Sequence, residues 1–194
     1  MRTVHRPEQL SFAPEFDIRP RHHLFFGIWP DVGATSRLAR LMGQLRHDKI
    51  MPGRPVDPDR LHVTLHRLGV FADQIPASLI PTAGAAAATV KTQPFDVAFD
   101  RVGGTRGLFL LRASDGPVAL RAFRQTLSAA LIRAGLRHRV DSAFSPHVTL
   151  SYDFSDVPER PVDPIRWTVQ QFVLIESLLG EHRHVERGSW SIRG

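Results

Sequence analysis

Apolar residues recur along two stretches of the chain at the spacing of a helix that buries one face. The first stretch carries Leu38, Leu41, Met42 and Leu45, and the second carries Leu120, Phe123, Leu127, Leu131 and Ala134. They predict a helix that begins after an Asp31 cap and ends near residue 47, and another over residues 116–136, with Gly135 near its end. An alanine-rich segment predicts a third helix over residues 77–89.

Short runs of β-branched and aromatic residues between glycines and prolines predict the strands. We expect strands at residues 23–29, 61–68, 95–102, 108–112, 147–152, 168–178 and 184–192. Gly69 is expected to stop the second strand, and glycines are expected to turn the hairpin between the third and fourth. The order strand, helix, loop, strand occurs twice, which predicts two related lobes.

The tetrapeptide His-Val-Thr-Leu occurs twice, beginning at His62 and at His147, in the last strand of each repeat. Side chains alternate between the two faces of a strand, so each histidine shares a face with the threonine two residues later, Thr64 or Thr149. Two such strands facing one cleft would bring together two imidazoles and two hydroxyls. His66 has the same alternation and is expected at the rim of that cleft.

Two imidazoles and two hydroxyls match the needs of phosphodiester cleavage. A neutral imidazole can accept the proton of the attacking oxygen, and an imidazolium can protonate the leaving oxygen, since the pKa of histidine lies near neutral pH. Threonine hydroxyls can donate to the non-bridging phosphate oxygens. Neither proton transfer requires a metal, and no cofactor is expected.

With these two motifs the chain resembles the 2H phosphoesterases, in particular the branch of 2′-5′ RNA ligases and RNA 2′,3′-cyclic phosphodiesterases. The resemblance extends over residues 21–194. Its supporting segments are residues 24–30 (Leu-Phe-Phe-Gly-Ile-Trp-Pro), 61–69, 145–150 and the Glu-Ser-Leu end of 172–178. Only the paired motifs are specific to the family.

The resemblance implies an α+β fold with two lobes, in which two antiparallel sheets line a central cleft, helices lie outside and a pseudo-two-fold relates the halves. It implies an RNA end with a 2′,3′-cyclic phosphate as substrate, a 2′-phosphate product, and ATP-independent 2′-5′ ligation as a reverse reaction. It also implies that His62 protonates the departing 3′ oxygen while His147 activates water. The motifs themselves, being identical, do not order these roles.

Other residues are candidates for substrate contacts. Arg67 replaces an aromatic residue found in many relatives, which changes the surface beside the phosphate, and Phe144 is a candidate for stacking a base. The arginines near the motif strands that could contact phosphate or ribose are Arg60, Arg67, Arg112 and Arg139. His182 and His184 are expected to be exposed in a turn, and His22, His23 and His47 show no partner pattern.

The amino-acid composition limits the kinds of site, partner and compartment that fit the chain. The chain has no cysteine, which excludes disulfides and thiolate metal sites. Lys plus Arg exceeds Asp plus Glu by 25 to 19, mostly as arginine, which fits either an anionic partner or a replacement of lysine by arginine through codon bias. His62 and His66 lack the further ligands of a zinc site. We find no apolar run long enough to span a membrane and expect a cytoplasmic monomer, with residues 1–20 as an arm and residues 21–194 as one bilobal domain.

Two other functions remain open from the sequence. The same histidines could act on small cyclic nucleotides or on linear RNA 3′ ends, which a comparison of oligonucleotide and mononucleotide substrates would distinguish. The chain could also be an RNA-binding module without turnover, although binding alone does not need two titratable groups.

Overall fold

The computed structural model describes residues 21–193, so the predicted arm of residues 1–20 lies outside the described residues. Three helices are α1 (Val32–His47), α2 (Leu79–Ala88) and α3 (Val118–Arg133). The strands are β1 (His22–Ile28), β2 (Arg54–Pro55), β3 (Val63–Phe71), β4 (Phe95–Thr105), β5 (Leu108–Arg112), β6 (His147–Tyr152), β7 (Val157–Val169), β8 (Gln171–Leu178) and β9 (Arg183–Ser191).

The two helices with clear apolar stripes form where the sequence predicts them. Helix α1 begins after Asp31, whose carboxylate accepts a hydrogen bond from the Ala34 N–H at 2.6 Å, as expected of an N-cap. Helix α3 ends one residue before Ala134, and Gly135 follows in a left-handed conformation that favours glycine. The stripes of both helices are buried against one face of the sheet.

The strands form an antiparallel sheet with the order β7-β4-β5-β6-β3-β1-β8-β9, and the short β2 pairs with β6. Strands β6 and β3 at its centre share one residue pair, Val63 with Val148. We call β3, β1, β8 and β9 the first sheet, and β6, β5, β4 and β7 the second sheet. The order is symmetric about the junction, which confirms the predicted α+β fold with two related antiparallel sheets.

Both motif strands contain a β-bulge at the same position. In β3 the pairing with β1 passes from Thr64 to His66, and in β6 the pairing with β5 passes from Thr149 to Ser151. The skipped residue in each case is the leucine of His-Val-Thr-Leu. A bulge adds one residue to one strand and shifts the alternation of all residues beyond it. The repeat therefore extends past the tetrapeptides in the backbone.

The strand predicted over residues 168–178 is in fact the end of β7 followed by β8. The rest of β7 was not predicted, because Pro158, Pro161 and Pro164 are typical of a loop. It lies at the edge of the second sheet, where one side of the strand needs no hydrogen-bonding partner and proline is tolerated. The prediction that Gly69 stops β3 is wrong as well. The strand continues to Phe71, and Gly69 is needed because a side chain there would collide with Phe71 and Arg139.

The main apolar core lies between the helices and one face of the sheet. A small apolar cluster of Phe25, Val173 and Ile175, with Trp29 packed against it, lies on the other face of the first sheet. No helix within residues 21–193 combines the length and the apolar character needed to cross a bilayer.

Candidate active site

The two motifs meet at the junction of the two sheets. Val63 and Val148, which pair there, are fully buried on the core side, so the residues flanking them lie on the opposite face. Continuing the antiparallel register by one residue in each direction sets His62 opposite Thr149 and Thr64 opposite His147. The four side chains are half-buried and share one face of the sheet, as the alternation within the repeated motif predicts.

The two histidines are held in the same way. The Nδ1 of His62 lies 2.7 Å from the carbonyl oxygen of Arg60, and the Nδ1 of His147 lies 2.7 Å from that of Ser145. Since a carbonyl can only accept, each Nδ1 carries the proton and donates it. Each neutral imidazole therefore has its lone pair on Nε2, the nitrogen left available for proton transfer.

The surroundings of His62 are aromatic. Its ring stacks on Phe25 with 4.8 Å between centroids, and Trp29 and His184 approach it edge-on at 5.8 and 5.2 Å. A Cβ on the neighbouring Gly27 would lie 3.1 Å from the Val63 carbonyl oxygen, so glycine lets β1 approach the motif strand closely. The first sheet thus provides an apolar wall against which one catalytic candidate is fixed.

The surroundings of His147 are cationic. Arg112 is its partner in β5, and the charges of Arg112 and Arg67 both lower its pKa. Arg67 lies on this face because the bulge in β3 shifts the alternation after Leu65. The structure therefore places Arg67, a candidate from the sequence, on the same face as His147.

Burial lowers the pKa values of the histidines in the cleft. The pKa of His62 falls to about 4, mainly through desolvation, and the nearby His147 and His23 contribute further. The pKa of His147 is lowered chiefly by burial and then by the two arginines. Both imidazoles are thus neutral at neutral pH in the free protein, although the sequence suggested ordinary histidine pKa values.

The prediction that His66 lies at the cleft rim is wrong. The bulge turns its side chain to the core, where it is 1% exposed, and its Nε2 lies 2.9 Å from the Ser128 hydroxyl on α3. Burial lowers the pKa of His66 to about 4. Its counterpart in the second sheet, Ser151, is also buried and donates to the Pro52 carbonyl at 2.6 Å.

Two histidines of the cleft were not assigned to the site from the sequence. His184, expected in an exposed turn, lies in β9 against His62 and Trp29, whereas His182 is exposed as predicted. His23 lies against Phe25 at 5.0 Å. Burial lowers the pKa of His184 to about 3 and that of His23 to about 4. Their positions depend on strand pairing distant in sequence, which no local motif signals.

Several buried nitrogens around His62 have no protein partner within the described part of the chain, namely His23 Nε2, His184 Nδ1 and Arg60 Nε. Buried polar atoms of folded proteins are nearly always paired with protein, water or ligand. The cleft is therefore supplied with groups suited to a polar, anionic ligand. Among residues 21–193, no three His, Asp or Glu side chains are arranged to hold a metal ion.

The two remaining candidates, Phe144 and Arg139, have contacts with other parts of the chain. Phe144 packs against α3, where the guanidinium of Arg124 lies 4.6 Å from its ring centroid and that of Arg121 lies at 5.7 Å. Base stacking on Phe144 stays a prediction. Arg139 donates to the Leu68 carbonyl and covers the Phe71 ring at 5.6 Å.

Comparison with known families identifies the family of the chain. The family model described as the 2′-5′ RNA ligase superfamily matches residues 34–181, which include both motifs. The chain belongs to the 2′-5′ RNA ligase superfamily. No curated protein matches the sequence.

Solved structures show the same fold as this member of the 2′-5′ RNA ligase superfamily. E. coli LigT in apo form has a TM-score of 0.71 at 22% identity, with 91% of this chain and 100% of that chain covered. E. coli LigT complexed with 3′-AMP has a TM-score of 0.70 at 24% identity, with the same coverage. A protein of Thermus thermophilus has a TM-score of 0.71 at 23% identity, with 89% of this chain and 98% of that chain covered.

Proposed function

We propose that the protein is an RNA 2′,3′-cyclic phosphodiesterase that opens the terminal ring to a 2′-phosphate by acid and base catalysis. The observation that carries the proposal is the paired, identically anchored motifs. Each motif supplies an imidazole, whose Nδ1–H donates to a backbone carbonyl, and a threonine hydroxyl on the same face of the strand. A site for binding alone would not need two imidazoles with available Nε2 atoms.

The reaction balances with the residues at hand. His147 Nε2 accepts a proton from water as the water oxygen bonds to phosphorus, and the bond from phosphorus to the 3′ oxygen breaks. His62, protonated on Nε2, gives its proton to that 3′ oxygen. Thr64 and Thr149 donate hydrogen bonds to the non-bridging oxygens, where negative charge must be held. The family resemblance supports this order of roles.

Binding of the phosphate favours the protonated form of His62. In the free protein the lowered pKa of His62 keeps it neutral, but an adjacent phosphate anion favours the charged form and raises that pKa. Arg67 and Arg112 add positive charge on the His147 side, which favours the anion and keeps His147 neutral as a base. The substrate thus prepares the acid that its own cleavage needs.

Ligation uses the same geometry with a different nucleophile. If the 5′-hydroxyl of a second RNA replaces water, its attack on the cyclic phosphate breaks the same bond and leaves a 2′-5′ linkage without ATP. The family name and the 3′-AMP complex of LigT support a nucleotide end as the ligand. We propose hydrolysis as the main reaction and ligation as the accessory one.

The test is digestion of an RNA with a terminal 2′,3′-cyclic phosphate in the presence of EDTA. We expect hydrolysis to persist, and the product to lose phosphate to a phosphatase but resist a 3′-specific nucleotidase. A 3′-phosphate product would reverse the assigned direction of ring opening. Loss of all activity on chelation would overturn the metal-independent mechanism, and absence of turnover by pure, folded protein would favour a binding module.

A further inference from the structure

A shallow groove of about 340 Å³ lies at the outer end of β3. It is lined by Arg67, Leu68, Gly69, His138, Arg139, Val140 and Asp141. Arg67 lines this groove and also lies on the face of the motif histidines, because it pairs with Phe25, whose ring stacks on His62. The groove therefore adjoins the proposed phosphate site through Arg67.

The groove is predominantly cationic. Arg137 and His138, in the 3₁₀ turn Arg137–Arg139, are exposed beside it, and Arg67 is exposed within it. Arg139 is half-buried; it donates to the Leu68 carbonyl, and its Nε is buried without a partner among residues 21–193. The acidic residue of the lining, Asp141, accepts a hydrogen bond from the Ala143 N–H at 2.8 Å, and its negative charge is opposed by the nearby guanidinium of Arg124.

We infer that this groove binds the sugar-phosphate backbone of the RNA strand immediately upstream of the cyclic phosphate. The inference rests on the proposed function and adds to it a subsite for the upstream nucleotides, which a free cyclic nucleotide would leave empty. Arginine suits phosphate recognition because its planar fork can donate two hydrogen bonds to phosphate oxygens.

The dimensions agree with one or two further nucleotides. A strand rises about 3.3 Å per residue, so Arg67 lies about 10 Å from Thr64 and Gly69 about 16 Å from it. Phe71, the aromatic ring nearest this end of β3 in sequence, is covered by Arg139. Recognition through phosphates, without base stacking there, gives little dependence on base sequence.

The experiment compares kcat/KM for a 2′,3′-cyclic mononucleotide with that for di-, tetra- and octanucleotides ending in the same cyclic phosphate. For the natural protein we expect kcat/KM to rise about tenfold or more from the mononucleotide to the tetranucleotide, then to level off. The rise should shrink as salt is added, since phosphate contacts release counterions. Equal values for all lengths would overturn the inference.

The double variant R137A/H138A tests the groove with two exposed side chains whose removal leaves the cleft intact. We expect it to lower the ratio of tetranucleotide to mononucleotide kcat/KM by about three- to tenfold, through KM. The control is R40A, which removes an exposed arginine from α1 on the other face of the sheet. If R40A reduces the ratio as much, the effect is general charge and the groove is not the site.

A further variant, F154A, removes an aromatic side chain that is 92% exposed on the side of the second sheet. A selective loss of the length effect in F154A, with R137A/H138A unchanged, would place the strand there and overturn the inference. The proposed function is tested separately. If no cyclic phosphate is hydrolysed, that function fails, and fluorescence anisotropy of a labelled tetranucleotide with a 3′-phosphate still shows whether R137A/H138A weakens binding and R40A does not.

Discussion

At the scale of single residues, the two motif histidines have the same anchors but different neighbours. His62 lies in an aromatic wall, whereas His147 lies beside two arginines. A desolvated imidazole gains more from an approaching anion than an exposed one, because charges interact more strongly at low dielectric. The different surroundings of the two identical motifs support the unequal roles proposed for their histidines.

Removal of either imidazole tests their roles directly. We expect His62→Ala and His147→Ala each to lower kcat by about 10² to 10⁴, the usual effect of losing a positioned acid or base. The matched control is His47→Ala, since His47 is exposed at the end of α1 and should be dispensable. Circular dichroism should show that all three variants are folded. Near-normal turnover in either motif variant would remove that residue from the mechanism.

The lowered pKa values set the expected dependence of activity on pH. The profile of kcat/KM should be bell-shaped, because one histidine must be neutral and the other protonated. Since burial lowers the pKa values of both His62 and His147 in the free protein, the maximum should lie below pH 6.5 and activity should fall as pH rises.

Bound phosphate raises the pKa of the adjacent imidazole, so the kcat profile should have its maximum at higher pH than the kcat/KM profile. Steady-state kinetics between pH 4 and 9 would check both profiles. A kcat/KM maximum above pH 7 would contradict the lowered pKa values of the free site.

At the scale of elements, the bulges in β3 and β6 arrange the site. Each lets His-Val-Thr-Leu present two polar side chains to the cleft and then turns the following residue to the core. The bulge in β3 buries His66 against Ser128 of α3 and brings Arg67 to the cleft. A titratable side chain is thereby built into the packing between a strand and a helix.

Burial of His66 should make the fold sensitive to acid. Its pKa is about 4 when folded and near 6.5 when unfolded, so the unfolded state binds the proton first as pH falls. The contribution of neutral His66 to the unfolding free energy is fully present above about pH 6.5 and is lost as pH falls towards 4. Between pH 7 and pH 5, this one group should cost about 2 kcal/mol of unfolding free energy.

The variant His66→Gln keeps a hydrogen-bonding group but does not titrate. Urea unfolding at pH 7 and pH 5 should show that it loses about 2 kcal/mol less than the natural protein over that range. The remaining loss is expected from His23, His62 and His184, whose pKa values are lowered as well. An equal loss in both proteins would show that His66 does not carry the effect.

The sequence predicts elements whose cause is local and misses features whose cause is distant. The apolar stripes and the Asp31 cap were sufficient for α1 and α3, and the repeated tetrapeptide was sufficient to predict a shared face. The bulges depend on register with a neighbouring strand, which one sequence does not display. For the same reason His66 was assigned to the wrong face, and most of β7 was missed because of prolines that an edge strand tolerates.

At the scale of the whole molecule, charge should determine how strongly RNA is held. The chain carries a formal net charge of +6, and arginines border both the cleft and its groove. Each phosphate contact contributes about −0.7 to the slope of log K against log salt for a single strand. With a few contacts, we expect a slope of about −1 to −3 for a tetranucleotide, measured by anisotropy in increasing NaCl. A slope near zero would show that arginine contacts do not drive binding.

The symmetric sheet order has a consequence for folding during translation. Strand β1 lies between β3 and β8. The first strand of the described fold therefore gains its second neighbour only after one of the last strands has been synthesised. The wall behind His62 contains β1, β8 and β9, and it therefore cannot close until residues 171–191 have emerged. Pairing between strands so distant in sequence slows folding, because a long loop must close before contacts stabilise it. A chain that ends before residue 171 therefore contains both histidine motifs but lacks two strands of the sheet that packs against His62.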